Sequence, residues 1–436
     1  MEIITEIKCE VSSGYKPFAD EITELLLSEK RCEERVQRLL DGEASLAVER
    51  LIPQVERSKH GIFFTPEGIS TNLVNLLDSE IEGGMTFFDP ACGAGNLLLA
   101  VARKCALNNT FDETIDAWSR RFGGSDIDAV FVRVAKLRLI FLAAYRHGLP
   151  ELSEAYLEDL LSRFSEFYVG DYLHGGFGSE FDCIIANPPF AHVVVSDSCS
   201  WSSGRTQLAA VFIDKILERA KIGQKIVAVL PDVLRSGTRY DKWRRFVEVR
   251  VTEGRSLLYG RFAADVDVDV FFLDVVLSGI NEDAPCIQWV PQRSAGTGRR
   301  RVSELYDVCV GAVVPFRLTG SGSEAPYITA KNCPPDGEVS FASSISFDGR
   351  KVSPPFVVVR RTSNPSDRNR LVTTLITCDQ PVAVENHLIV MRPKDSTVGS
   401  CLYLMERLRS QDALAQINEK IRCRHLTTKS IKDIEI

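Results

Sequence analysis

Residues 181–190 read Phe-Asp-Cys-Ile-Ile-Ala-Asn-Pro-Pro-Phe. The apolar run up to Ala186 predicts a buried strand, and this strand ends where the polar Asn187 appears. Two consecutive prolines block both a longer strand and a tight helical start, so the loop is held extended. In open α/β sheets ligands bind at the carboxyl ends of strands, where this loop would present an amide and an aromatic ring. An isolated Asn-Pro-Pro is more often a simple connector, so the surrounding sequence has to decide.

Upstream of this loop the sequence predicts a strand, a glycine-containing turn and a helix in immediate succession. The strand is 85–88, the turn 89–96 (Asp-Pro-Ala-Cys-Gly-Ala-Gly-Asn) and the helix begins at 97. This order opens the cofactor-binding part of a doubly wound sheet, where glycine lets the backbone approach a ligand that a Cβ would exclude. The spacing is neither that of a dinucleotide-binding fingerprint nor that of a phosphate loop. A phosphate-free, partly cationic ligand facing Asp89 suits the turn better.

Two further predicted strands end in acidic residues. Residues 123–128 (Gly-Gly-Ser-Asp-Ile-Asp) precede a long apolar helix, and 169–172 (Val-Gly-Asp-Tyr) end a third strand. An acid at the end of the second strand is the usual acceptor for ribose hydroxyls in such folds. Asp126 or Asp128 could instead cap the next helix, and for Asp128 we prefer that role. Thr65 precedes a proline and is likewise predicted to be a helix N-cap.

The composition is that of an ordinary globular protein. The 436 residues, 44% hydrophobic and 25% charged, are enough for two or three domains. No run approaches the length of a membrane span, and the N-terminus lacks the basic and apolar regions of an export signal. The twelve cysteines are scattered singly and without the spacing of a zinc site. We therefore expect a cytoplasmic protein with reduced thiols, no metal and no membrane partner.

Charge is distributed unevenly along the chain. The net charge of -7 consists of -11 over residues 1–280 and +4 over residues 281–436. A basic last third behind an acidic body suggests a module that faces a polyanion, although a surface charge mix without function would look the same. Apolar residues at helical spacing predict a helical segment over residues 1–57, in front of a central domain over 58–280.

The order of these motifs resembles that of the S-adenosylmethionine-dependent DNA adenine-N6 methyltransferases. The motifs are Phe-Thr-Pro (64–66), Asp-Pro-Ala-Cys-Gly-Ala-Gly (89–95), Gly-Ser-Asp-Ile-Asp (124–128), Gly-Asp-Tyr (170–172) and Asn-Pro-Pro-Phe (187–190). Their order is similar to the gamma arrangement of Type I modification subunits and Type II amino-methyltransferases. The resemblance implies S-adenosylmethionine as cofactor and a doubly wound, Rossmann-like α/β catalytic domain over 58–280. It also implies an α+β, DNA-binding target recognition domain over 281–436.

The resemblance assigns roles to residues around the cofactor. Asp126 would accept hydrogen bonds from the ribose hydroxyls, with Ile127 against the adenine ring. Asp171 would accept from the exocyclic amine of the cofactor, beside Tyr172. The methionine end of the cofactor would lie among the remaining motif residues, which are Thr65, Asp89, Ala91 and Gly93.

The same resemblance implies a catalytic role for the Asn-Pro-Pro-Phe loop. The exocyclic nitrogen of adenine is a poor nucleophile because its lone pair is delocalised into the ring. The Asn187 side-chain oxygen and the Pro188 carbonyl would accept its two N–H groups and so aim the lone pair at the methyl group. Pro189 would keep the loop extended, and Phe190 would stack on a base taken out of the duplex. This chemistry requires no general base and no metal.

Basic side chains of the last third lie in stretches rich in Ser, Pro and Gly, which predict loops. They are candidate contacts to DNA phosphates, with a solvated surface as the alternative for each: Arg299, Arg300, Arg360, Arg361, Arg368 and Arg370. The expected function is site-specific adenine-N6 methylation of double-stranded DNA in a restriction-modification or phage-defence system. A restriction or specificity subunit is a candidate partner. Two alternatives stay open, a protein (glutamine) or RNA methyltransferase that uses the same loop and a non-catalytic DNA-binding subunit.

Overall fold

The computed structural model describes residues 8–28, 33–40, 42–60, 63–196, 199–264, 266–281, 287–290, 298–318, 322–340, 343–365, 367–422 and 424–436. The chain divides into two compact units. Unit 1 comprises Met1–Arg235 and Arg239–Trp289, and unit 2 comprises Ser236–Thr238 and Val290–Ile436. The predicted helical segment before residue 57 thus lies in the same unit as the central domain.

A twisted sheet forms the centre of unit 1. The strands of this unit are β1 (Phe87–Asp89), β2 (Phe122–Asp126), β3 (Phe167–Val169), β4 (Cys183–Ala186), β5 (His192–Val195), β6 (Gly204–Gln207), β7 (Lys225–Pro231), β8 (Val251–Arg261) and β9 (Asp269–Leu277). Strands β5 and β6 form a separate hairpin, and the other seven pair in the order β3-β2-β1-β4-β7-β9-β8. Strands β3, β2, β1, β4 and β7 are parallel, whereas β9 is antiparallel to both β7 and β8. This arrangement confirms the predicted doubly wound α/β fold.

Helices cover this sheet. Those of the first 250 residues are α1 (Lys8–Leu27), α2 (Glu33–Leu40), α3 (Glu43–Leu51), α4 (Gln54–His60), α5 (Glu67–Val74), α6 (Asp78–Glu82), α7 (Asn96–Lys104), α8 (Phe111–Arg121), α9 (Ala129–Arg146), α10 (Glu154–Arg163), α11 (Leu208–Arg219), α12 (Asp232–Ser236) and α13 (Asp241–Glu248). Helix α9 begins where its sequence predicts, because the Asp128 carboxylate accepts from the Val130 N–H at 2.8 Å. The preferred capping role of Asp128 is therefore confirmed.

The N-terminal helices share the core of the sheet. Tyr15 of α1 is fully buried, and its ring lies 5.1 Å from that of Phe131 in α9. The Tyr15 hydroxyl donates to the Ala44 carbonyl of α3 at 2.9 Å, which satisfies its polar end inside the core. Each large side chain buried in this way stabilises the fold by about 1.5–3 kcal/mol. The helical segment is thus a packed layer of the central domain and not a separate arm.

Unit 2 combines small sheets with helices. Its strands are β10 (Tyr306–Val310), β11 (Glu324–Ile328), β12 (Glu338–Val339), β13 (Ser343–Ser346), β14 (Phe356–Arg360), β15 (Thr373–Ile376), β16 (Ala383–Val384) and β17 (Leu388–Pro393), and its helices are α14 (Val302–Leu305), α15 (Val398–Leu408), α16 (Gln411–Lys420) and α17 (Thr428–Lys432). The larger sheet has the order β10-β17-β14-β15-β12, and the smaller one β13-β11-β16. The helices bury Leu404 and Ile417 against Val357 and Ile389 of the larger sheet. The expected α+β character of this part is therefore confirmed.

Candidate active site

The motif residues of unit 1 meet at one edge of the sheet. Strand β1 lies between β2 and β4, so the ends of these three strands are neighbours. Asp89 and Asp126 are the last residues of β1 and β2, and Asn187 follows the last residue of β4. The strand order reverses between β1 and β4, which is the position where open α/β sheets bind ligands. The sequence motifs therefore converge on one candidate site.

The turn after β1 is tied to the acid at the end of β2. The Gly93 N–H donates to Asp126 Oδ2 at 3.0 Å, and the Asp128 N–H donates to Asp126 Oδ1 at the same distance. Gly93 has φ +49, and a Cβ there would lie 2.7 Å from the Phe64 ring. Part of the glycine requirement is therefore internal packing, in addition to the ligand approach that the sequence predicted.

Burial raises the pKa of both carboxyl groups at this edge. Asp89 is 2% exposed, and burial, helped by the nearby charge of Asp126, raises its pKa to about 8. Its Oδ1 accepts from the Ala91 N–H at 3.0 Å, a bond that opposes this rise. Burial raises the pKa of Asp126 to about 6 against the same kind of backbone hydrogen bonds. Two acids that are costly to ionise in the free protein would be stabilised as carboxylates by a cationic ligand.

The remaining residues assigned to the cofactor differ in how accessible they are. Ile127 is 40% exposed, so it offers apolar surface next to Asp126. Both oxygens of Asp171 have partners in their own turn, the Leu173 N–H at 2.9 Å and His174 Nδ1 at 2.7 Å. Tyr172 is 3% exposed, because its ring stacks on a phenylalanine of α11. Tyr172 therefore has almost no exposed surface with which to contact a cofactor, so its place beside the cofactor stays a prediction.

Thr65 is not the helix cap that its position before a proline predicted. Pro66 itself is the residue that precedes α5, with extended backbone angles, and no side chain caps this helix. Thr65 Oγ1 instead accepts from Asn187 Nδ2 at 2.9 Å, and the Phe63 carbonyl accepts from the same nitrogen at 3.3 Å. The prediction was wrong because the Thr65 hydroxyl bonds to a residue at the end of β4 and not to a backbone N–H of α5.

This contact determines which way the Asn187 amide points. A carbonyl oxygen can only accept, so the nitrogen and not the oxygen of Asn187 must face Phe63. Asn187 Oδ1 consequently points the other way, where it is buried and has no hydrogen-bond partner among the described residues. A buried acceptor without a donor costs about 1–3 kcal/mol. An orphaned oxygen at a ligand-binding edge is therefore suited to accept an N–H group of a ligand.

Two other residues of the loop are at least partly buried. Pro188 is buried and Phe190 is partly buried. The Phe190 ring packs edge-on against Phe262, at 5.2 Å between centroids and an interplanar angle of 77°. This perpendicular contact restrains the orientation of the Phe190 ring beside the candidate site.

In unit 2 the six arginines singled out from the sequence have different surroundings. Arg370 is fully buried and donates to Ser363, to Asn418 and to the Ile421 carbonyl. Its assignment to DNA is therefore wrong, because a guanidinium enclosed by protein acceptors cannot reach a phosphate. The other five reach the surface to different extents: Arg299 pairs with Asp412, Arg300 pairs with Glu304, Arg360 and Arg361 are partly buried and Arg368 is exposed.

A doubly wound sheet with an acidic glycine turn and an Asn-Pro-Pro-Phe loop at its switch point is the Rossmann-like architecture that the motif resemblance implies. Residues 49–245 match the family model described as N-6 DNA Methylase. This match agrees with the resemblance that the motifs carry, and it covers 197 of the 436 residues.

Two curated relatives carry the names of methylases. The "Type I restriction enzyme MjaIX methylase subunit" of Methanocaldococcus jannaschii is 30% identical over 179 residues, which are 41% of this chain and 25% of the relative. The "Type II methyltransferase M.VspI" of Vibrio sp. (strain 343) is 28% identical over 145 residues, 33% of this chain and 28% of the relative. The matched segments thus span about a quarter of the length of these relatives.

Among solved structures, the Type IIL restriction-modification enzyme MmeI in complex with DNA has a similar fold. The TM-score is 0.52 at 12% identity, over 89% of this chain and 70% of that one. At this identity the likeness concerns the fold alone. Within the described residues, no helix has the length and apolar character needed to cross a membrane, and no group of three or more His, Cys, Asp or Glu residues has a metal-binding arrangement.

Proposed function

We propose that this protein is a site-specific DNA methyltransferase that transfers a methyl group from S-adenosylmethionine to N6 of adenine. The observation that supports this function most directly is the orientation of Asn187. Its nitrogen is held by Phe63 and Thr65, while its buried oxygen has no donor among the described residues. An acceptor aimed in this way matches a target group that carries N–H bonds, as the exocyclic amine of adenine does.

The residues at the strand ends fit the proposed cofactor. The two Asp126 oxygens each accept one backbone N–H and have further lone pairs, with which they would accept hydrogen bonds from the ribose hydroxyls. The exposed side of Ile127 would contact the adenine ring of the cofactor. Asp89, whose pKa burial raises to about 8, would ionise next to the cationic end of the molecule. Thr65, Ala91 and Gly93 would line that end. When bound, S-adenosylmethionine supplies a methyl group on a positively charged sulfur.

The loop after β4 would prepare the target base. Asn187 Oδ1 and the Pro188 carbonyl would each accept one N–H of the adenine amine, which draws its lone pair out of the ring system. Phe190 would stack on a base rotated out of the duplex, since a paired base cannot enter the site. The prolines keep the acceptors in place. In well-oriented systems such positioning lowers the activation barrier by up to about 7–11 kcal/mol.

Two other functions would use the same loop. A glutamine side chain or an RNA base also carries an amino group that Asn187 could bind. The match of residues 49–245 to an N-6 DNA methylase model favours DNA, as does the net charge of +4 over 281–436. A non-catalytic DNA-binding subunit would have no need to keep a buried oxygen unpaired.

Partners and cellular setting follow from the same proposal. The names of the curated relatives suggest a restriction-modification system, with a restriction or specificity subunit as a candidate partner. The substrate would then be double-stranded DNA in the cytoplasm, and residues 281–436 would recognise its sequence through base edges.

One experiment separates these functions. The protein is produced in a host without adenine methylation, and its DNA is read by single-molecule sequencing. We expect N6-methyladenine at one short motif, and no modification with Asn187→Ala. In parallel, purified protein and radiolabelled S-adenosylmethionine are incubated with DNA, RNA and protein fractions. Label in RNA or protein but not in DNA would overturn the proposal, and so would label in none of them.

A further inference from the structure

Asn96, the first residue of α7, is bonded to the same segment that holds Asn187. Its Nδ2 donates to the Thr65 carbonyl at 2.8 Å and to Ser45 Oγ at 3.1 Å. Thr65 is 4% exposed. The carbonyl of Thr65 is thus anchored by α7 while its hydroxyl accepts from Asn187.

Arg138 of α9 sets the orientation of Asn96. The guanidinium donates to Asn96 Oδ1, to the Ala94 carbonyl at 2.8 Å and to the Leu40 carbonyl at 3.3 Å. Since arginine can only donate, the oxygen of Asn96 must face it, and the nitrogen must face Thr65. Arg138 is 1% exposed, and a buried cation is held firmly where acceptors surround it.

These bonds form one continuous chain from the N-terminal helices to the catalytic loop. Leu40 ends α2 and Ser45 belongs to α3, so both helices contribute acceptors to it. This series of hydrogen bonds continues from Arg138 through Asn96 and Thr65 to the Asn187 nitrogen. Each amide in it has its orientation set by a group that can only donate or only accept.

We propose that Arg138 and Asn96 are positioning residues for Asn187, and that α2 and α3 help to hold these two residues in place. This inference rests on the proposed function and adds a role for the N-terminal layer. If Asn96 no longer holds the Thr65 carbonyl, the Thr65 hydroxyl shifts, and the Asn187 oxygen leaves the direction in which it meets the target amine. A misplacement of about 1 Å at such a site can reduce the rate on the order of a hundredfold.

Asn96→Asp separates positioning from folding. The carboxylate keeps an acceptor for Arg138 but loses the donors to Thr65 and Ser45. The matched control is Asn72→Ala, which removes an asparagine bond of 2.7 Å to the Gly68 carbonyl on the exposed side of α5. With saturating cofactor, we expect Asn96→Asp to lower kcat about ten- to a hundredfold while KM for DNA changes less than about threefold. Asn72→Ala should leave both constants unchanged.

A second measurement does not depend on activity. In protein labelled with ¹⁵N at asparagine only, the Asn187 side-chain cross-peak is identified by its loss in Asn187→Ala. We expect this cross-peak to shift in Asn96→Asp and to stay in place in Asn72→Ala. If Asn96→Asp does not fold, Ser45→Ala removes one acceptor of Asn96 and should produce a smaller shift in the same direction.

The two proposals fail in different ways. An unmoved Asn187 cross-peak, in whichever of these variants folds, overturns the positioning role even if the wild type methylates DNA. A wild-type protein that methylates nothing overturns the proposed function, while the cross-peak still decides whether Asn96 orients Asn187. Equal kcat in Asn96→Asp and Asn72→Ala also overturns the positioning role.

Discussion

Asn187 Nδ2 and Thr65 Oγ1 lie 2.9 Å apart, in a hydrogen bond between residues that are 122 positions apart in the chain. The bond connects the loop after β4 with the segment before α5. The Phe63 carbonyl accepts from the same nitrogen, so the amide oxygen, and not the nitrogen, is left for a ligand. The proposed chemistry depends on this orientation, because the target amine has N–H groups to donate.

Asn187→Ala should abolish methyl transfer and leave the affinity for S-adenosylmethionine within about threefold of the wild type. The residue is proposed to contact the target amine and not the cofactor, and the missing acceptor removes a contact made by the reacting group. Single-turnover transfer to DNA and calorimetric titration of the cofactor measure the two effects. Transfer within a few-fold of the wild-type rate would exclude Asn187 as a catalytic residue.

Thr65→Val should lower kcat about tenfold, whereas Thr65→Ser should retain most of it. Valine has the shape of threonine without the hydroxyl that accepts from Asn187, and serine keeps this hydroxyl. Steady-state kinetics at saturating cofactor compares the two variants. Equal activity of both variants would mean that the Phe63 carbonyl alone orients the amide.

The fold and most of the site were predictable because their signals are local. The strand that ends at Asp126 and the strand that Asn187 follows are predictable from apolar runs that end at a polar residue, and parallel pairing brings such ends to one edge. The role of Thr65 was not predictable in this way. A threonine before a proline is typical of a helix start, and its actual partner comes from a strand that the fold alone places beside it.

Arg370 was misassigned for a similar reason. The residues that precede it, 363–369 (Ser-Asn-Pro-Ser-Asp-Arg-Asn), predict an exposed loop, but its acceptors Asn418 and Ile421 come from the region of α16. The hydrogen bonds of Asn96 and Arg138 were likewise not predictable from the sequence. Asn96 closed the glycine turn in the sequence without any sign of a partner, although its bond to Thr65 spans 31 positions.

Asp126→Ala should weaken S-adenosylmethionine binding by about 1.5–3 kcal/mol, or roughly ten- to a hundredfold, through loss of a charged acceptor. Asp128→Ala is the matched control, because Asp128 caps α9 and has no proposed contact with the cofactor. It should lower the melting temperature and cost about 1 kcal/mol of stability, with the affinity unchanged. Calorimetry and thermal unfolding distinguish the two residues. Unchanged affinity in a folded Asp126→Ala protein would contradict the role of Asp126.

Cofactor binding should release protons at neutral pH. In the free protein burial raises the pKa of Asp89 to about 8, so this carboxyl is mostly protonated at pH 7. A cationic ligand favours the carboxylate, which lowers the pKa and expels the proton. The affinity should therefore weaken as the pH falls from 8 towards 6, by up to about tenfold per pH unit.

Calorimetry at pH 7 in two buffers of different ionisation enthalpy counts these protons. Asp89→Asn keeps an acceptor for the Ala91 N–H and removes the titrating group, so it should release fewer protons than the wild type. The comparison also cancels any proton that the ligand itself releases. Equal proton release by both proteins would show that Asp89 does not ionise on binding.

Arg361→Gln and Arg368→Gln should each weaken DNA binding uniformly across sequences. If both side chains contact phosphates, each variant should reduce the slope of log affinity against log salt by about 0.9. Arg370→Gln should behave differently, because Arg370 is buried and its loss leaves the Asn418 and Ile421 oxygens without their donor. We expect each buried oxygen left without its donor to destabilise the protein by about 1–3 kcal/mol.

Fluorescence anisotropy over a salt series and thermal unfolding separate these two outcomes. Arg368 is exposed and Arg361 partly so, so their replacement should leave the melting temperature almost unchanged. A folded Arg370→Gln protein should bind DNA with the wild-type salt slope, because the buried guanidinium releases no counterion. Wild-type slopes for both Arg361→Gln and Arg368→Gln would contradict the proposed phosphate contacts. A reduced slope for Arg370→Gln would show instead that its burial gives way when DNA binds.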